Sequence, residues 1–139
     1  MTSSDLENVA QTLVADGKGI LAADETTPTL TKRFNALGIK STEESRRTYR
    51  EMLFTSPGAA EFISGVIMYD ETIRQKSTGG APLAEALIAR EILAGIKVDT
   101  GAKPLAGFPD ETVTEGLDGL RDRLREYHGM SARFAKWRR

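Results

Sequence analysis

The sequence predicts an α/β chain built on a parallel sheet, and two observations carry that expectation. Short apolar runs alternate with amphipathic stretches in the order strand, helix, strand, helix, strand, helix, strand, a pattern that gives parallel strands joined by helical crossovers. The runs also stop on charge. Ile20-Leu21-Ala22-Ala23 ends on Asp24-Glu25, Gly65-Val66-Ile67-Met68-Tyr69 on Asp70-Glu71, and Leu93-Ala94-Gly95-Ile96 on Lys97-Val98-Asp99. In a parallel barrel or open sheet the C-terminal strand ends converge on one face, so these charges gather there.

Taken in order, Leu6, Val9, Ala10, Leu13 and Val14 recur at helical spacing, with Ser3 or Ser4 as cap. The first strand covers 18–24 and is expected to be buried on both faces, because it is apolar throughout. Thr26-Thr27-Pro28-Thr29 opens a helix, proline being tolerated in the first turn. Leu30, Phe34 and Leu37 line one of its faces, and Gly38 ends it. Ser41-Thr42-Glu43-Glu44 reads as a capping box with Ser41 at the N-cap. The helix that follows carries Tyr49, Met52 and Leu53 and stops near Ser56-Pro57-Gly58. A second strand covers 62–69, with Asp70 and Glu71 as turn residues. Residues 82–90 read as helix, 93–99 as the third strand and 100–112 as a Gly/Pro-rich loop. Leu117, Leu120, Leu124 and Tyr127 make an amphipathic helix stopped by Gly129, and 132–137 is a fourth strand carrying Lys136.

Bulk composition narrows the function classes. At 139 residues the chain fits one domain, 1–139. A net charge of −1 gives no broad field for nucleic acid or an anionic membrane. Without cysteine there are no disulfides and no thiolate metal sites. Residues 1–16 carry Asp5, Glu7 and Asp16, unlike a secretory signal, and no 18-residue apolar run exists for a membrane span. These features fit a cytoplasmic protein.

Asp24, Lys97 and Lys136 each lie at or beside a strand end. Burying an unpaired carboxylate is costly, whereas a carboxylate among ammonium groups stays ionised. Lysines so placed hold phosphate as point charges, and Arg33 on the following helix adds a planar fork. The set suggests a small anionic substrate, most simply a sugar phosphate. Structural roles stand beside this reading. Asp24 can cap the next helix, and Lys97 and Lys136 can extend over the sheet to water. Arg46 and Arg47 fit a solvated helix face, and His128 a C-terminal helix charge. The basic run Arg133, Lys136, Arg138 and Arg139 mixes with apolar residues at strand spacing, which argues against a nucleic-acid partner. Gly17-x-Gly19 precedes its strand and lacks a third glycine, so it is no dinucleotide fingerprint.

Several linked motifs carry a resemblance. Gly17-Lys18-Gly19-Ile20-Leu21-Ala22-Ala23-Asp24-Glu25 followed by Lys32-Arg33 resembles the opening of the class I fructose-bisphosphate aldolases. Thr42-Glu43-Glu44-Ser45-Arg46-Arg47, Gly65-Val66-Ile67, Glu71-Thr72, Gly95-Ile96-Lys97-Val98-Asp99, Gly116-Leu117-Asp118-Gly119-Leu120 and Phe134-Ala135-Lys136-Trp137-Arg138 match in the same order. Thr27-Pro28-Thr29 is similar to bacterial members in particular. The resemblance implies a (β/α)8 TIM barrel of about 250 residues, with this chain covering strands 1–4. It implies reversible cleavage of fructose 1,6-bisphosphate to dihydroxyacetone phosphate and glyceraldehyde 3-phosphate in glycolysis. No metal or other cofactor takes part, and the full-length enzyme is a homotetramer. A lysine forms a Schiff base with the C2 ketone, and the iminium is the electron sink for C3–C4 cleavage.

By the same resemblance, Asp24 assists carbinolamine chemistry and proton handling, and Lys136 stabilises charge near the cleaved bond. Lys97 is its strand-3 partner at the substrate. Arg33, Arg46 and Arg138 contact substrate, and Thr29 a phosphate. The family's imine-forming lysine on strand 6 and acid/base glutamate on strand 5 have no counterpart within the 139 residues, which are expected to be inactive alone. They read as the N-terminal half of the barrel, a single incomplete domain. The alternative is a non-catalytic half-barrel that binds phosphate or a second copy, since four strands left open have two unpaired edges.

Overall fold

The computed structural model describes residues 2–138. Helix α1 (Ser3–Leu13) is capped by Thr2, whose hydroxyl accepts the Asp5 N–H while the Asp5 carboxylate accepts the Thr2 N–H at 2.6 Å. The cap is thus Thr2 rather than Ser3 or Ser4. Thr2 has the extended backbone of an N-cap, and Asp5, three residues on, closes the reciprocal bond. Strand β1 (Gly19–Ala22) leads to α2 (Thr27–Ala36) and α3 (Glu43–Thr55). Thr42 caps α3, with Ser45 returning its hydroxyl to the Thr42 N–H at 2.8 Å. The expected Ser41–Glu44 box is displaced by one residue, because Ser45 does the work assigned to the glutamate. Then come α4 (Ala59–Phe62), β2 (Ile63–Met68), α5 (Asp70–Ile73), α6 (Leu83–Ile88) and β3 (Leu93–Lys97). A hairpin of β4 (Gly101–Leu105) and β5 (Phe108–Glu115) precedes α7 (Leu120–Gly129) and β6 (Phe134–Lys136).

Four strands form one sheet in the order β1-β2-β3-β6, parallel at every pairing. The alternation read from the sequence is therefore realised, with the hairpin inserted between β3 and α7. Period-two alternation and the register divide the sheet into two faces. Val66, Met68, Ala94 and Ile96 point outward and are no more than 1% exposed. They pack against Phe54 of α3, Leu83 and Leu87 of α6, and Tyr127 of α7. Ile20, Ala22, Gly65, Ile67, Gly95, Lys97, Phe134 and Lys136 share the opposite, inner face.

The inner face is shaped by one aromatic ring and two glycines. A Cβ on Gly65 would lie 3.0 Å from the Phe134 ring and 2.7 Å from Leu13. A Cβ on Gly95 would lie inside the same ring. Phe134 therefore lies across two neighbouring strands and brings α1 against them.

Several local expectations are corrected. β1 spans four residues rather than the expected seven and is not buried on both faces, Ile20 being 44% exposed. Leu37 leaves the apolar face of α2 and sits exposed at its C-cap. On α3 the buried stripe is Arg46, Arg50 and Phe54, while Met52 faces solvent. Arg46 and Arg47 are accordingly not a solvated face. Arg47 bonds both Glu44 and Glu51. Residues 100–112 are no loop but most of the β4–β5 hairpin, turned at Gly107 with φ of 80°. Thr112-Val113-Thr114 supplied the β-branched signal. Asp70 and Glu71 form the first turn of α5 rather than a turn, and α7 runs through Gly129 to break at Ser131, where φ is 72°.

Overpacking of the inner face follows from this geometry. Gly95→Ala should destabilise the fold by about 1–3 kcal/mol. Adding Phe134→Leu should recover part of that loss, a coupling that a double-mutant cycle by urea denaturation measures.

Candidate active site

β1, β3 and β6 each send a charged side chain to the same end of the inner face. Asp24 follows β1 and is 8% exposed. Its Oδ2 accepts a hydrogen bond from Lys136 Nζ at the end of β6. Asp24 is no helix cap: the N-cap of α2 is Thr26, and no side chain bonds the free amides there. Lys97, at the end of β3, does not run to water. Its Nζ donates to Asp99 Oδ1 at 2.6 Å and to the Asp99 carbonyl at 2.7 Å. The Asp99 carboxylate also accepts the Gly101 and Arg138 N–H groups at 3.1 Å, tying the ends of β3 and β6 together.

Asp24, Lys97 and Lys136 line a cleft of about 350 Å³ with Glu25, Thr26, Thr29, Arg33 and Arg138. Arg33 reaches back to Glu25 at 2.7 Å and remains largely exposed. Thr29 and Thr26 share a hydroxyl bond at 3.1 Å. Four cations, Arg33, Lys97, Lys136 and Arg138, face two carboxylates, Asp24 and Glu25, across this space. A second cleft of about 410 Å³ shares Thr26, Lys97 and Arg138 and extends over Tyr69, Asp70, Arg123 and Tyr127. The excess of cations around a concave surface suits a phosphorylated ligand.

Arg46 stands apart. It is buried on α3, where Nε and Nη2 grip the Glu71 carboxylate at 2.9 and 2.5 Å and Nη1 donates to Ser41. It lines neither of the two clefts.

Comparison with known proteins agrees with this arrangement. The family model of glycolytic class-I fructose-bisphosphate aldolase matches residues 5–139. The chain belongs to the class-I fructose-bisphosphate aldolases. It is 58% identical over 138 residues to a probable fructose-bisphosphate aldolase class 1 of Xanthomonas axonopodis pv. citri, covering 99% of this chain and 41% of that protein. It is 52% identical over 135 residues to the fructose-bisphosphate aldolase of Echinococcus multilocularis, covering 96% of this chain and 37% of the other. The aldolase of Plasmodium falciparum, solved with TRAP and a small-molecule inhibitor, superposes with a TM-score of 0.94 at 47% identity over 97% of this chain and 39% of its own. The chain thus spans about two-fifths of the length of these aldolases, and its four parallel strands form part of a TIM barrel.

Within this aldolase-family site, sequence reasoning passed over Asp99, Glu25 and Arg50 as working parts. The Lys97-x-Asp99 spacing could have revealed the first, since residues two apart on an extended chain share a face. Arg50 lies four residues from Arg46 and four from Phe54, on the buried stripe of α3, but its charge disguised it as a surface position.

Burial alone would push the Asp99 carboxyl up. Lys97 and the Arg138 and Gly101 amides outweigh it and hold the group below its ordinary value. A carboxyl depressed in the folded state contributes stability above its unfolded pKa, near 3.9, and loses it as pH falls further through the folded value. Asp99→Asn, which strands a buried ammonium, should cost about 3 kcal/mol at neutral pH. The gap to the parent should close below about pH 4. Urea melts between pH 3 and 7 check both statements.

Proposed function

We propose that this chain supplies the substrate-gripping part of a class-I, Schiff-base fructose-bisphosphate aldolase. The observation that carries this reading is the Asp24–Lys136 contact, which joins the two edge strands in a cleft that also holds Lys97. The substrate would be fructose 1,6-bisphosphate, cleaved reversibly to dihydroxyacetone phosphate and glyceraldehyde 3-phosphate.

Each group has a task that its setting supports. Arg33, Arg138 and Thr29 stand where a phosphate would rest, the arginines offering forked donors. Asp24 takes and returns protons as a protein amine adds to the C2 ketone and water leaves. When the C3–C4 bond breaks, the bonding electrons pass to the iminium, and the proton of the C4 hydroxyl must leave. Lys136 stabilises the negative charge that develops there, and Lys97 steadies the adjoining hydroxyls. Arg46, the remaining arginine that the family resemblance would place at the substrate, serves from behind by bracing Glu71.

Neither cleft lysine is well placed to be the imine-forming amine. The Nζ of each is already committed to a carboxylate, Lys97 to Asp99 and Lys136 to Asp24, whereas the nucleophile must be free to attack. The nucleophile and the main acid/base glutamate belong to barrel segments beyond these 139 residues, which act as one structural unit with them. The assembled enzyme is a cytoplasmic homotetramer in this reading. Among the described residues no helix is long and apolar enough to cross a membrane. A second reading, a half-barrel that binds phosphate or another copy without turnover, draws on the two open strand edges of the sheet and on exposed Ile20.

Two measurements decide. Borohydride reduction of the 139-residue polypeptide with dihydroxyacetone phosphate should leave no covalent adduct; an adduct on Lys97 or Lys136 would overturn the assignment of the amine. In the protein expressed from its whole reading frame, cleavage should be present, and Asp24→Asn should lower kcat by about 10²–10⁴-fold. Phosphate binding with no cleavage would select the non-catalytic reading instead.

A further inference from the structure

Behind the cleft lies a buried arginine with no direct view of it. Arg50 is the largest of the fully buried side chains, at 0% exposure. Its Nη2 donates to the main-chain carbonyl of Glu25 at 2.5 Å. The guanidinium lies 3.7 Å from the Glu25 carboxylate and 3.8 Å from that of Glu71, and stacks 5.8 Å from the Tyr69 ring. Its Nε and Nη1, and Oε2 of Glu25, have no hydrogen-bond partner. Burying a guanidinium with this incomplete pairing is expensive, so stability alone does not account for it. What an apolar residue cannot supply is the donor to Glu25.

That donor occupies a telling position. The ladder between β1 and β2 gives its last bond at Ala23, whose N–H reaches the Ile67 carbonyl at 3.0 Å. The first helical bond of α2 begins only at the Thr26 carbonyl, which accepts the Leu30 N–H. Asp24 and Glu25 lie between these anchors, on backbone that neither sheet nor helix holds. Arg50 fixes the one carbonyl immediately after Asp24. The Glu25 side chain in turn holds Arg33 at the cleft mouth.

We propose that Arg50 is a positioning residue: by clamping the Glu25 carbonyl it sets the direction in which Asp24 meets Lys136 and keeps Arg33 at the phosphate end of the cleft. The inference rests on the aldolase reading for its catalytic consequence, but not for its structural one. Arg50 is fully buried and lines neither cleft. Arg46 and Glu71 form the next layer, since Glu71 is shared between the two arginines.

The test compares Arg50→Met and Arg50→Lys in the protein expressed from its whole reading frame, with Phe54→Leu, one turn further along the same buried stripe, as the control for a generally loosened helix. Amide hydrogen exchange should rise about tenfold or more at Leu30 and the next bonded amides of α2 in Arg50→Met. The outward core strands should keep their protection, and Phe54→Leu should not produce this local pattern. In the cleavage assay, Arg50→Met should lower kcat about tenfold or more with KM for fructose 1,6-bisphosphate within about twofold, and Arg50→Lys should recover part of the loss. Exchange that rises evenly over the molecule, or a kcat loss accounted for by the unfolded fraction alone, would overturn the proposal. A parent protein that cleaves nothing would overturn the aldolase reading, and the exchange comparison would still decide the role of Arg50.

Discussion

The contact between Asp24 and Lys136 constrains the whole chain. The two residues follow or end β1 and β6, which are the outermost strands of a four-stranded sheet. Three inter-strand spacings separate those strands, about 14 Å if the sheet were flat. A lysine and an aspartate cannot bridge that gap between them. The sheet must therefore curl toward its inner face, as barrel staves do. Everything that faces inward, the phenylalanine, the glycines and the charged ends, has to be compatible with that curl.

The packing shows how the compatibility is reached. Curling crowds the inner face and spreads the outer one. Gly65 and Gly95 remove the side chains that would collide with Phe134, and the ring then fills the space of two positions. On the outer face, Val66, Met68, Ala94 and Ile96 meet the apolar sides of α3, α6 and α7. The inner surface is thus thin and specific where the outer one is thick and tolerant. A chain of this kind keeps its stability in the outer layer and its chemistry at the strand ends of the inner one, the division expected of a barrel whose active site lies at the C-terminal ends of its strands.

The parallel sheet and the convergence of Asp24, Lys97 and Lys136 were legible in the sequence, because a buried run that stops on a charge leaves little choice about where that charge goes; Arg33 was read from the adjoining helix, and Arg138 and Thr29 came only from the family resemblance. Three kinds of feature were not. The edge character of β1 depends on what lies beside it, which local composition does not encode. The hairpin over 101–115 was masked by its glycine and proline content, which reads as loop although Gly107 serves only the turn. Arg46, Arg50, Glu25 and Glu71 pair residues 25 positions apart along the chain, and only the fold brings such partners together. Arg46, which the family motif alone pointed to, pairs with Glu71 and lines neither cleft.

The same pairings explain how a cleft so rich in cations is held open without a ligand. Three of the four cations have their own carboxylate: Lys136 has Asp24, Lys97 has Asp99 and Arg33 has Glu25. The three pairs differ in burial. Arg33 is 60% exposed, so its ion pair is weak and easily exchanged for a phosphate. The lysine partners are 9% and 0% exposed, so those pairs are held by the surrounding structure and persist. A phosphorylated sugar entering this cleft would thus take its charge partner from the rim and find the inner groups already oriented. The rim pair is thus the exchangeable one, and the inner pairs are fixed in place before any ligand arrives.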